Sequence, residues 1–138
     1  MISNLLINLP VKNLETSLRF FKEIGFVKKS ATLNNKESFR MEVGKVIVML
    51  FNETKFKEFI NYDLSNPKRG SEMLLSVEVE SREEVDKIFE NVNTAGGTEF
   101  AHPKEKEGWL YGAGFLDPDG HRWNLLFMDR DKISKSFK

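Results

Sequence analysis

The sequence predicts an α+β fold: two tandem βαβββ modules whose mixed sheets form a cup. Three observations predict it. The chain has 138 residues, the length of one ordinary domain. A strand, a helix and three short strands can be read in its first half, and the same order returns in its second. Neither half can bury both faces of its sheet alone, so two such sheets set side by side leave a concave surface between them. This order belongs to the α+β class, not to a doubly wound parallel sheet. On this reading residues 1–138 are a single domain, with module one at about 4–60, a linker at about 61–71, module two at about 72–129 and a charged tail at 130–138.

Leu5 to Val11 reads as a buried strand, and Asn13 is placed to cap the helix that follows. Leu14, Leu18, Phe21 and Ile24 recur at helical spacing, with Gly25 at the C-terminal cap position. Three strands are predicted next, Phe26 to Ala31, Glu37 to Val43 and Val46 to Phe51, punctuated by turns at Asn34-Asn35 and Gly44-Lys45. Glu53 to Ile60 reads as a short helix with Phe56, Phe59 and Ile60 on its apolar face. The polar stretch 61–70, with Pro67, reads as a long connection.

The second half repeats the first. Met73 to Val79 is a strand, and Ser81-Arg82-Glu83-Glu84 is a capping box. Val85, Ile88, Phe89 and Val92 form the inward stripe of a helix that ends at Gly96-Gly97. Thr98 to His102, Trp109 to Leu116 and His121 to Met128 are the remaining strands. The last two are joined by the tight turn Asp117-Pro118-Asp119-Gly120. From Lys132 the charged end reads as a frayed tail. Leu6 aligns with Leu74, Val11 with Val79 and Asn13 with Ser81; at the far end Met49 aligns with Asn124 and Leu50 with Leu125.

Lys plus Arg and Asp plus Glu each number 21, so the formal charge is zero and no nucleic-acid surface is expected. The chain has no cysteine, which excludes disulfides and thiolate metal sites. The start Met1-Ile2-Ser3-Asn4 does not read as a signal peptide, and no apolar run is long enough for a membrane span. A cytoplasmic protein without nucleic-acid or membrane partners is the expectation. No Gly-rich phosphate loop opens a helix, and no Ser-His-Asp signature is present.

Two segments carry a resemblance. Asn8-Leu9-Pro10-Val11-Lys12-Asn13-Leu14-Glu15-Thr16-Ser17, followed by Phe20-Phe21 and Gly25-Phe26, resembles the opening of glyoxalase/bleomycin-resistance proteins. Gly114-Phe115-Leu116-Asp117-Pro118-Asp119-Gly120-His121-Arg122-Trp123 resembles their closing segment. With the repeat, the likeness to this vicinal oxygen chelate superfamily, which includes the extradiol dioxygenases, covers about residues 4–129. The resemblance implies paired βαβββ modules and a homodimer. It also implies a divalent metal held by His or Glu from the first and last strands of each module, acting as Lewis acid on vicinal oxygens.

Carried over position by position, those four metal sites fall on Leu6, Met49, Leu74 and Asn124. Leu offers no lone pair, Met a soft sulfur and Asn a neutral carbonyl, so a hard divalent ion has no ligand set there. No metal and no cofactor are therefore expected. His102 and His121, with Glu42, Glu72 and Glu78, fall away from the four positions, and a slip of one residue would turn a strand's side chains to its other face.

Strand alternation places Asn8 and Pro10 with Leu6, Ser76 with Leu74, Phe51 with Met49 and Leu126 with Asn124. The predicted ligand-binding residues are Asn8, Met49, Phe51, Ser76, Trp109, Tyr111 and Asn124, an apolar pocket with a few neutral polar groups. For Trp109 and Tyr111 core or dimer packing is the competing reading. Trp123 is read as core, and 104–108 as a solvated loop or a lid. Three functions stay open: a metal-free binder of a small organic molecule, a metal-dependent glyoxalase-like lyase or dioxygenase, and a scaffold whose cup is filled by its own side chains.

Overall fold

Each main helix begins where a side chain can replace a missing backbone partner. The Asn13 carboxamide accepts from the Thr16 N–H at 2.9 Å and starts α1, Leu14–Glu23. The Ser81 hydroxyl does the same for Glu84 at 3.1 Å and starts α3, Arg82–Glu90. Asn52 caps α2, Glu53–Ile60, through the Lys55 N–H. The structure is a computed structural model that describes residues 1–136.

Seven strands form two mixed sheets among the described residues. In the first, β1 (Leu6–Val11) lies parallel to β3 (Val46–Asn52), which pairs antiparallel with β2 (Ser38–Val43). In the second, β4 (Leu74–Glu78) lies parallel to β7 (Arg122–Met128). Antiparallel pairing then adds β6 (Leu110–Leu116) and β5 (Thr98–Lys106). In both sheets the first strand pairs parallel with the last, which is the repeat expressed as topology. A short helix, α4 (Val92–Ala95), links α3 to β5.

The strand expected at 26–31 does not form, so the first sheet has three strands and the second four. The backbone itself gives the reason. The N–H groups of Phe26 and Val27 both turn back to the Phe21 carbonyl at the end of α1, so they cannot join a ladder. The Phe26 ring then packs against Phe21, Phe115 and Trp123. Two further expectations change. Residues 104–106 extend β5 as a strand, and the turn follows at 107–109, with Glu107 and Gly108 at positive φ. The expected frayed tail is instead a helix, α5 (Arg130–Ser136), begun by Asp129, whose side chain and carbonyl accept from the N–H groups of Lys132 and Ile133. Residues 137–138 lie outside the described residues.

The core is continuous between the sheets. Leu9, Val11, Phe39, Met41, Val48 and Leu50 point inward from the first sheet, and Ala113, Phe115, Trp123 and Leu125 from the second. Helix α1 lies between them: Phe21 meets Trp123 edge-on at 5.5 Å, and Phe20 meets Phe115 at 6.0 Å. Fully burying each of these rings contributes roughly 1.5–3 kcal/mol, so the aromatic cluster is a principal tie between the two halves. It also fixes which sheet faces are used up and which stay open.

Candidate functional site

Alternation does the rest. Because Leu9 and Val11 face the core, Leu6, Asn8 and Pro10 face the other way, as do Met49 and Phe51 on β3. Register sets them in rows: Leu6 beside Ile47, Asn8 beside Met49 and Arg40, Pro10 beside Phe51 and Ser38. On the second sheet Trp123 and Leu125 are buried, so Arg122, Asn124 and Leu126 face outward. There the rows are Leu74–Arg122–Leu116, Ser76–Asn124–Gly114 and Glu78–Leu126–Gly112.

The sequence-predicted residues therefore separate into groups. Asn8 and Met49 are neighbours on the open face of the first sheet; Ser76 and Asn124 are neighbours on that of the second. Phe51 is on the open face too, but the Phe59 ring of α2 covers it edge-on at 5.0 Å. Tyr111 is not with them. It pairs with Phe127 on the side that packs under α3, and its hydroxyl donates to Asp86 at 2.6 Å. That hydrogen bond, with burial and the Asp86 charge, raises the phenol above its usual 10.0, which makes it a poor acid. Trp109 sits in the turn before β6, half-buried, its carbonyl accepting from the Asp129 N–H. The pocket wall expected from Tyr111 is on the other side of the sheet, because the β6–β7 register puts Gly112 and Gly114 on the open face.

Those glycines matter. The Phe100 ring lies over Gly114, where an added Cβ would fall 2.4 Å from it, and Leu126 leans over Gly112 in the same way. Arg122 stacks on Phe100, its guanidinium carbon 4.8 Å from the ring centroid. Arg40, Phe100, Gly114 and Arg122 are not among the sequence-predicted contacts, and Glu78 enters there only as a carboxylate away from the metal positions. The parity of Asn124 and Ser76 was enough to find Arg122 and Glu78. Phe100 was not accessible that way, since β5 shifts register between Glu99 and Ala101.

Several spaces adjoin these faces, one of about 460 Å³ beside Ser38, Arg40 and Met49. A cleft of about 580 Å³ lies where the β1 and β4 edges meet the segment 65–73, lined among others by Asn8, Leu9, Phe56, Arg69, Leu75 and Arg122. A second, of about 500 Å³, lies on the open face of the four-stranded sheet around His102, Lys104, Gly112, Asn124 and Leu126. Both are of small-molecule size.

The turn 117–121 holds the cleft's far side. Asp117 is buried and accepts from the Trp123 indole N–H and from the N–H groups of Asp119 and His121. Burial raises its pKa above 3.8, although His121 and the Trp123 bond oppose the shift. Asp119 accepts from the Lys12 N–H at 2.8 Å and the Ser17 hydroxyl at 3.2 Å, and a His121 ring nitrogen lies 2.7 Å from the Pro10 carbonyl. His121 thus ties β1 to the second sheet. His102 is exposed, near Glu99 at 3.9 Å and against the Phe89 ring.

The metal positions implied by the resemblance lie on the open faces, and Leu6, Met49, Leu74 and Asn124 do not fit a hard divalent ion there. Of the carboxylates on these faces, Glu42 pairs with Arg40 and Glu78 with Arg130. Among the described residues no three His, Cys, Asp or Glu side chains are grouped to hold a metal.

Comparison with known proteins gives one family. The model of the Glyoxalase/Bleomycin resistance protein/Dioxygenase superfamily matches residues 5–125. No curated protein gives a significant match. Among solved structures, a hypothetical protein from S. aureus is 32% identical with a TM-score of 0.80, covering 92% of this chain and 94% of its own. A glyoxalase-related enzyme from Fulvimarina pelagi is 23% identical with a TM-score of 0.78, over 92% of this chain and 88% of its own. A mutant of the fosfomycin resistance protein FosX from Listeria monocytogenes, complexed with Mn(II) and 1S,2S-dihydroxypropylphosphonic acid, is 18% identical with a TM-score of 0.71, over 100% of both chains.

Proposed function

Since the chain belongs to the glyoxalase/bleomycin resistance protein/dioxygenase superfamily, we propose that it binds a small organic molecule at its open sheet faces without a family-type metal. One observation carries the reading: the four positions that would hold the metal are Leu6, Met49, Leu74 and Asn124, all on those faces. Their chemistry is that of a ligand pocket, apolar surface with a neutral amide, and not of a Lewis-acid site. The two clefts and the exposed amide of Asn8 support the same reading. The FosX mutant, which shares the fold, is complexed with Mn(II) and a small phosphonic acid, and this supports small-molecule binding as a use of such a fold.

Two copies assemble as a homodimer on this proposal, supported by Leu6 and Leu74, which are 47% and 50% exposed on the open faces. The proposal keeps the cytoplasmic setting expected from the sequence. No helix among the described residues is long and apolar enough to cross a membrane.

Thermal unfolding with Ni²⁺, Zn²⁺, Mn²⁺ or Fe²⁺, alongside elemental analysis, tests the reading. A metal present at a hundred times its dissociation constant would add about 2.7 kcal/mol, which for a domain of this size is a shift on the order of 10 °C. The expected result is substoichiometric metal and an unchanged midpoint, with stabilisation by an organic ligand in the presence of chelator. Stoichiometric metal with a shift of that size would overturn it in favour of a metal-dependent lyase or dioxygenase.

A further inference from the structure

We infer that the cleft between the β1 and β4 edges is an anion-recognising subsite, anchored by Arg122, whose ligand class is a small carboxylate with an apolar body. This rests on the small-molecule reading above and narrows it. Leu6, Met49, Leu74 and Asn124 supply no metal, so a charge that orients an anionic ligand would come from a side chain. Arg122 is the side chain so placed.

Three of the chain's arginines are neutralised: Arg40 by Glu42, Arg82 by Glu105 and Arg130 by Glu78. Arg122 makes no ion pair with any described residue. It is half-buried, lines the cleft and rests on the Phe100 ring. The ring lies in turn over Gly114, where the missing side chain leaves it room. A guanidinium held by its face keeps its in-plane N–H groups directed outward, the fork that takes a carboxylate bidentately.

The nearest acid along the turn does not compete for it. Both oxygens of Asp119 are engaged, one by the Lys12 N–H and one by the Ser17 hydroxyl. Lys12 and Arg69 also line the cleft, but Glu53, Glu72 and Asp119 balance that charge, so the preference for an anion rests on Arg122, with which none of the three forms an ion pair. Phe56 and Leu75 also line the cleft and add apolar surface to it. An arginine without an ion pair, together with apolar surface in the same lining, favours an amphiphilic anion, and about 580 Å³ limits it to a small one.

Benzoate, benzamide and benzamidine share a shape and differ in charge, so titrating the intact protein with each, by calorimetry and by amide chemical shifts, isolates the charge. Benzoate should bind at least about tenfold more tightly than the other two and perturb the residues around Arg122. Arg122→Gln should bring benzoate down to the level of benzamide, while Arg122→Lys, which keeps the charge but not the fork, recovers part of the preference. Because no ion pair is lost, the unliganded midpoint of either variant should stay within a few degrees of the parent. Equal binding of all three probes, or a benzoate preference that survives Arg122→Gln, would sink the anion subsite and leave small-molecule binding standing. No binding of any probe would sink both.

Discussion

Two glycines show how far a single missing methyl decides the packing. A Cβ at Gly97 would fall 2.6 Å from the Leu116 carbonyl oxygen and 2.7 Å from the Phe20 ring. Neither can yield, because one is backbone and the other is a fully buried core ring. At Gly114 the obstacle is the Phe100 ring alone, which is 41% exposed and can rotate away. Gly97→Ala should therefore cost about 1–3 kcal/mol by overpacking, and Gly114→Ala less than half of that, in urea unfolding at neutral pH. Equal costs would mean that Phe100 is held as firmly as the core. At this scale the open-face residues of β1, β3 and β4 were legible, because alternation needs only the strand and one buried neighbour. Tyr111 was not: its face depends on which residue of β6 meets Asn124, and Gly114, with no side chain to betray its direction, holds that place.

Elements were legible where local chemistry decides them. Asn13, Asn52 and Ser81 cap helices through bonds within three residues, so the sequence window contains the whole cause. The missing strand at 26–31 is different, since its aromatic side chain is claimed by Phe115 and Trp123, nearly a hundred positions away. The turn 117–121 combines both cases: its shape follows from Asp-Pro-Asp-Gly, but its role as the tie to β1 and α1 is a tertiary fact. Its titration gives a test. Burial holds the Asp117 pKa above 3.8, so the folded state binds that proton more tightly than the unfolded one. The stability due to this group is then complete below pH 3.8 and is lost as pH rises through the folded value. Asp117→Asn keeps the size but faces an N–H₂ toward one of three donors, which costs about 1–3 kcal/mol. The difference between parent and variant should be largest at acid pH and shrink above it. A difference that is flat, or that grows with pH, would remove burial as the governing influence on Asp117.

The whole molecule presents one unresolved surface. Its core lies between the sheets and α1, so each sheet's outer face is left to solvent except where α2 covers Phe51. Leu6, Met73, Leu74 and Phe100 are 47%, 45%, 50% and 41% exposed there or at its margin, an apolar load that a second copy would cover. Sequence could announce the cup, because the repeat implies it, but not its depth, because whether the faces close within a chain or across two depends on how the edges of β1 and β4 meet. A self-association built on these faces should respond to charge placed on them. Sedimentation equilibrium should find a dimer at micromolar concentration, and Leu74→Glu or Leu6→Glu should weaken it by tenfold or more, about 1.4 kcal/mol each. Half-exposed strand positions tolerate such changes, so thermal unfolding at low concentration, where both proteins are monomeric, should differ little between parent and variants. A chain that stays monomeric at about a hundred times that concentration would place the ligand on one protomer's faces alone, and a dimer indifferent to both substitutions would move the interface to the helical side, leaving the sheets open to solvent and to ligand at once.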